Sequence, residues 1–370
     1  MAKRLFLLAA GAIALTACTS EEVIDDAAAS RNVIKFENAV DKLSRASDLN
    51  NGTLGKFNVY GFYTMPDNPN HANEVFNNEA VTKVGGQWTY GNTRYWVPNA
   101  TYYFYAYSCG SVSELNSAYG KFSLDTSNDA NDGEGLPANE RTLEIDNYLS
   151  DYTHQHDLVF ASNTVKAETA TNSPVSFQFK HILSKLQAKF TSKFPKEYTV
   201  VISNVSVGNI RNIGDYDFSI NNSNNGWKNQ DRNIAGDPYV YLLNTKGEGL
   251  AEGEPKDTEL EVKNEIVTVN DTEVQAYAAS NTAYVIPYKY EYDDVYITFD
   301  VKVMYGKDQV YPLTTLTTTT FAPEWNEGFA YLYNIAIGPE DLQLKKISFT
   351  VSEIGEWGKG GSEDLNINNN

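Results

Sequence analysis

The stretch "VSFQFKHILSKLQAKFTS" (residues 175–192) decides the fold class. Within it, "HILSKLQAK" is the one place where apolar residues approach a helical spacing, and no helical stripe of useful length occurs elsewhere. Upstream, "GKFNVYGFYT" (55–64) alternates, and "VGGQWTYG" (84–91) reads as a Gly85-Gly86 hairpin turn with positive φ followed by a short strand. "RYWVPNATYYFYAYS" (94–108) sets Pro98-Asn99 between two aromatic strands. Residues 113–148 read as polar loop, "DLVFAS" (157–162) returns to strand, and "AETATNSP" (167–174) reads as a linker. Downstream, "YTVVISNVSVGNI", "AYVIPY", "VYITFDVKVMY", "YPLTTLTT", "FAYLYNIAI" and "ISFTVSEIGEWG" all carry strand patterns. No repeat of 20–50 residues is present, which excludes solenoids and propellers. The expectation is an all-β chain of two β-sandwiches in series, divided near residue 173.

Composition agrees. The 25 Tyr and 17 Phe favour strands over helices. With 29 basic against 48 acidic residues the net charge is −19, so nucleic acid is not an expected partner. Cys18 and Cys109 are the only cysteines. Residues 1–17, "MAKRLFLLAAGAIALTA", place Lys3 and Arg4 before a short apolar run. That describes a secretory signal and not a membrane span, which needs about 20 apolar residues. The ending "LTAC" (15–18) resembles the lipobox of bacterial lipoproteins. The resemblance implies cleavage before Cys18, a diacylglycerol on its sulfur, and anchoring in the outer membrane by several acyl chains. With Cys18 lipidated, no internal disulfide can form. Removing the signal leaves 353 residues of net charge −21, a length suited to two domains. The acidic "SEEVIDD" (20–26) resembles the export signal of surface-exposed Bacteroidetes lipoproteins, although an acidic linker reads the same.

"NVIKFENAVDKLSRASD" (32–48) follows. Ile34, Phe36 and Val40 fall on one face of a strand, and Arg45 then stands alone between Ser44 and Ala46. Taken alone, Arg45 reads as an ordinary solvated loop residue. The lipobox, the "SRA" at Arg45, "FNVYGFYT", "YYFYAY", "FKHILSKLQAKF", "WNEGFAYLYNIAI" and "ISFTVSEIGEWG" occur in an order that resembles the Bacteroidetes fimbrillin-like proteins, subunits and accessory proteins of type V pili. That resemblance implies two transthyretin-like β-sandwich domains. It also implies an outer-membrane precursor whose first strand fills a groove in its own sheet, and an arginine-specific surface protease that cuts behind that strand. A strand from a neighbouring subunit then fills the groove, the backbone ladder giving affinity and alternate side chains giving register.

Carried onto this chain, the resemblance divides it into a signal (1–17), an acidic linker with a removable strand (18–45), an N-terminal sandwich (46–173), a C-terminal sandwich (174–358) and a polar tail (359–370). Ile34, Phe36 and Val40 become the inward plugs, and Arg45-Ala46 the scissile bond. A cut at Arg31 would leave the strand attached. Near the C-terminus, Ile347, Phe349 and Val351 share a face and form the candidate donor strand, with Ile354 and Trp357 out of phase. An end or bulge near Glu353 accounts for that break.

No enzyme is expected. "DYTHQHDLVF" (151–160) holds His154, His156 and Asp157 without HExxH or CxxC, and the remaining histidines, His71 and His181, are distant in sequence, so a solvated loop is the simpler reading and no metal is expected. Cys109 reads as a buried thiol, and Asp293-Asp294 as an acidic surface. Nucleophile, phosphate and dinucleotide motifs are absent, EF-hand spacing is missing, and no cofactor is implied. The rival reading is a surface lipoprotein that anchors or caps a pilus, or binds a host or glycan receptor through exposed aromatics, without polymerising. Trp96 and Trp325 read as core, Trp227 in "NNSNNGWKNQ" as exposed.

Overall fold

The computed structural model describes residues 33–40, 49, 52–110, 120–126, 136–150, 155–168, 173–221, 225–232, 239–248, 250, 255–269, 272–343 and 349–356. Among them the regular structure is almost all strand. The first half holds β1 (Phe36–Val40), β2 (Lys56–Met65), β3 (Asn68–Val84), β4 (Gln87–Thr89), β5 (Thr101–Ser108), β6 (Lys121–Asp125), β7 (Thr142–Leu149), β8 (Val159–Lys166) and β9 (Val175–His181). Then come β10 (Ser184–Ser192), β11 (Tyr198–Gly208), β12 (Ile213–Ser219), β13 (Gly226–Asp231), β14 (Tyr239–Leu243), β15 (Leu260–Lys263), β16 (Ile266–Val269) and β17 (Thr272–Gln275). The last are β18 (Ala278–Val285), β19 (Tyr296–Tyr305), β20 (Asp308–Thr317), β21 (Phe329–Ile337) and β22 (Phe349–Glu356), with one 3-10 turn at Asp341–Gln343.

Seven strands form one sheet in the order β1-β9-β8-β5-β2-β3-β4. Phe36 on β1 and Phe76 on β3 are five strands apart, roughly 24 Å in a flat sheet. Their ring centroids are 5.4 Å apart. Phe57 on β2 and Phe179 on β9, three strands apart, meet at 5.4 Å. The sheet therefore curls on itself, its inner face filled by Phe36, Phe57, Phe76, Phe104, Phe177 and Phe179. Gly61 permits the curl, because a Cβ there would lie 2.8 Å from Phe76 and 2.9 Å from Phe104. The outer face, with Tyr105, Tyr107 and Phe160, packs on a four-stranded sheet of order β13-β12-β7-β6. Burial on both faces explains why "TYYFYAYS" is aromatic almost throughout.

A second sandwich packs the sheet β18-β10-β21-β22 against β14-β11-β19-β20, with Phe190 edge-on to Phe299 at 5.1 Å. The expected division near residue 173 does not separate sheets. β9 lies beside β1 and β8, and β12 pairs with β7. Two further expectations change. Residues 113–148 contain β6 and much of β7, short strands set in a stretch of sequence too polar for them to stand out. "HILSKLQAK" is the end of β9, a two-residue link and the start of β10. Every residue from His181 to Ala188 is buried, Ile182 and Leu183 in the first core and Leu186 and Ala188 in the second. A segment buried on all sides has no single period to read. The Gly85-Gly86 hairpin is present, with φ of 58° and 84°.

Candidate assembly site at the seam strand

β1 closes the curled sheet. It runs parallel to β9, Phe36 opposite Val175 and Val40 opposite Phe179. Its entry is tied to the far end of the sheet: Ile34 N–H donates to the Arg94 carbonyl (2.9 Å), the Tyr90 hydroxyl donates to the Ile34 carbonyl (2.6 Å), and Val33 pairs with Tyr95. Val175 N–H donates to the Lys35 carbonyl (2.7 Å). Burial pushes the Tyr90 phenol up, which keeps it a donor.

The alternation read from sequence holds here. Ile34 and Phe36 are buried, Lys35 and Glu37 exposed. Phe36 touches five rings: Phe57, Phe76, Tyr90, Phe104 and Phe177. Val40 ends the strand opposite Phe179. β1 ends the strand order and among the described residues is laddered only to β9, so the buried side chains of Ile34 and Phe36 matter for its retention. Burial of a side chain of this size contributes roughly 2–3 kcal/mol.

The chain is gripped again at Leu49, which is buried. Its N–H donates to Asp157 Oδ2 (2.8 Å), and Asp157 Oδ1 lies 2.8 Å from His181 Nδ1. The reading of Asp157 as part of a solvated loop is thus corrected: its side chain is buried in the fold beside His181, 24 residues away. Sequence distance hid the pair, because β8 and β9 are adjacent antiparallel strands. Arg45 and Ala46 fall between the two grips and lie outside the described residues, as do Cys18 and Ile347.

Towards the C-terminus, β22 is an edge strand that, among the described residues, pairs only with β21. Phe349 is half-buried against Phe321 (4.7 Å) and Tyr333 (5.7 Å), and Val351 is exposed. Tyr331 faces Glu353 and Ala330 faces Gly355, so a bulge falls at Ile354, where the phase break had been expected. Cys109 is a buried thiol, and Trp96 and Trp325 are core residues, while Trp227 is half-buried. Among the described residues no group of three or more His, Cys, Asp or Glu could hold a metal ion.

A curled β-sheet sealed by its own N-terminal strand, in series with a second β-sandwich, defines an all-β protein of the two-sandwich type. The model of the fimbrillin-like family matches residues 44–357, and the chain belongs to that family. Among solved structures, a fimbrial protein from Bacteroides vulgatus has 14% sequence identity and a TM-score of 0.50 over 88% of this chain and 99% of its own. A candidate cell adhesion protein from Bacteroides ovatus has 16% identity and a TM-score of 0.45 over 88% of this chain and 98% of its own. At 14% identity the likeness to the Bacteroides vulgatus protein speaks for the fold alone. No curated protein matches significantly.

Proposed function

We propose that this protein is a pilus subunit that supports adhesion. It is exported as a lipoprotein anchored in the outer membrane through Cys18, then cut between Arg45 and Ala46 by an arginine-specific surface protease. The cut releases β1, and a neighbouring subunit, identical or related, supplies the replacement strand to form a surface fimbria. The observation that carries this reading is the seam. A five-residue strand, parallel to β9, entered through buried Ile34 and anchored by Phe36, closes an aromatic groove just ahead of Arg45. Its loss would bare the β9 edge, a surface that demands a new strand or aggregates. The donor on the neighbouring copy is the segment of Ile347, Phe349 and Val351; of these, Phe349 and Val351 lie on β22, an edge strand among the described residues. No catalytic role is proposed.

The test is the intact mass and N-terminal sequence of the protein recovered from the native cell surface. A start at Ala46 without lipid supports a polymerising subunit. A start at lipidated Cys18 with residues 33–40 retained overturns it and favours an anchor or cap.

A further inference from the structure

Away from the seam, a recess of about 400 Å³ opens where β13 meets two loops of the second sandwich, residues 287–289 and 325–327. Its lining combines Trp227, Tyr288 and Trp325 with Gln230, Asn326 and Glu327. We infer that this recess is a binding site for a neutral pyranoside of one or two rings. It goes beyond the assembly reading and shares no residue with the groove of β1.

The rings are fixed before any ligand arrives. Trp227 Nε1–H donates to the Ile182 carbonyl (2.6 Å), and Trp227 leans on Tyr148 and Tyr216 with centroids 5.4 and 5.2 Å away. Trp325, fully within the core, donates its Nε1–H to the Tyr333 hydroxyl (2.8 Å) and packs edge-on to Tyr290. Trp325 thus backs the wall from within the core, while Trp227, its N–H already committed, offers carbon surface and no donor, which suits the apolar C–H face of a sugar ring. Trp227 is half-buried, so part of its surface remains accessible at the wall of the recess.

The polar groups are planar and held as well. Gln230 Nε2 donates to the Pro287 carbonyl (2.5 Å), orienting its amide. Asn326 N–H donates to the Tyr331 hydroxyl (2.9 Å), fixing the backbone from which its exposed carboxamide projects. Glu327 Oε2 accepts from the Tyr216 hydroxyl (3.3 Å). Although Glu327 as a residue is exposed, its carboxylate lies against the buried Tyr216, and desolvation there pushes its pKa up to about 7. Two carboxamides and a carboxyl that exchanges its proton near neutrality can donate to and accept from vicinal hydroxyls. A volume of about 400 Å³ is at the small end of ligand pockets.

Charge around the recess is mixed. Glu327 lines it, Lys289 at the rim pairs with Glu324 (2.8 Å), and the Arg211 guanidinium, 4.4 Å from the Tyr288 ring centre, lies 3.7 Å from Asp231. With both cations already facing carboxylates and neither sign in clear excess, the recess suits a neutral polyol better than an ion.

The test is titration of the full secreted chain with methyl glycosides of glucose, galactose, mannose, fucose and N-acetylglucosamine, and with lactose, read by tryptophan fluorescence and saturation-transfer NMR. Expected is saturable binding of at least one sugar with Kd on the order of 1 mM. Trp227→Ala should weaken it roughly 10-fold or more, a loss of about 1.4 kcal/mol. Since Trp227 also packs on Tyr148 and Tyr216, Glu327→Ala at an exposed residue provides the second variant and should weaken the same sugar severalfold. No saturable binding to any of the six sugars overturns the inference. So does unchanged affinity in a folded Glu327→Ala or Trp227→Ala protein, or preference for tetramethylammonium over every sugar.

Discussion

Phe36→Ala tests whether β1 is a plug or merely a neighbour. Phe36 is 5% exposed and meets five rings with centroids between 5.4 and 6.1 Å. Truncating a buried Phe costs about 3–5 kcal/mol, the lost transfer energy plus the cavity left behind. Here the cost falls on release of β1, because the other rings remain packed against each other: Phe57 on Phe177 at 5.5 Å, Phe76 on Tyr90 at 5.2 Å. If release uncovers β9, amide protection along Val175–Phe179 reports it directly. At about 1.4 kcal/mol per factor of ten, protection there should drop at least ~100-fold, unless it reaches the limit set by global unfolding. The assay is native-state hydrogen exchange with mass spectrometry on the uncut chain. Lys35→Ala, an exposed position on the same segment, is the control and should change protection by no more than a few fold. Equal protection of β9 in Phe36→Ala and Lys35→Ala would refute the reasoning, since β1 would then be held by something other than its plugs.

Three more outcomes follow from the same geometry. Arg45→Ala should leave the surface protein with its original N-terminus and abolish polymers on native gels, whereas Arg31→Ala should change neither; equal processing of all three proteins would count against the scissile assignment. Asp157→Ala removes the acceptor of Leu49 N–H and the partner of His181 Nδ1. Each of the two lost buried bonds costs about 1–3 kcal/mol, so urea unfolding should show a loss of roughly 2–6 kcal/mol, and a loss under ~1 kcal/mol would mean the pair is not structural. For Glu327, the raised folded pKa of about 7 lies above the ordinary value of 4.5. The unfolded chain therefore ionises first, and stability should decline as pH rises from 4.5 towards 7, then level off. Glu327→Gln should lack that decline; a variant with the same pH slope as the parent would show that other groups produce it.

Much of the fold is legible because strand burial leaves a period of two. Ile34 and Phe36 inward with Lys35 and Glu37 outward could be read from spacing alone, as could the hairpin at Gly85-Gly86 and the bulge near Glu353. Legibility fails where both faces are buried. "HILSKLQAK" shows no single period because it threads from one core into the next. β6 and β7 are hidden by the polar sequence around them, and the Asp157–His181 pair by the 24 positions that separate its members.

The sequence by itself determined that the chain is all-β, acidic and led by an apolar segment ending at Cys18, because composition and alternation are local properties. It also placed Ile34, Phe36 and Val40 on one face of a strand ahead of a lone arginine. The tertiary structure decided that this strand seals a curled sheet, since the curl brings β1 and β3 together across five strand positions that no local pattern relates. It decided that Leu49, Asp157 and His181 form one grip. It also decided that Trp227, separated from Trp325 by 98 positions, joins it at a polar recess, because hydrogen-bonded ladders and shared cores set distances in space without reference to distances along the chain.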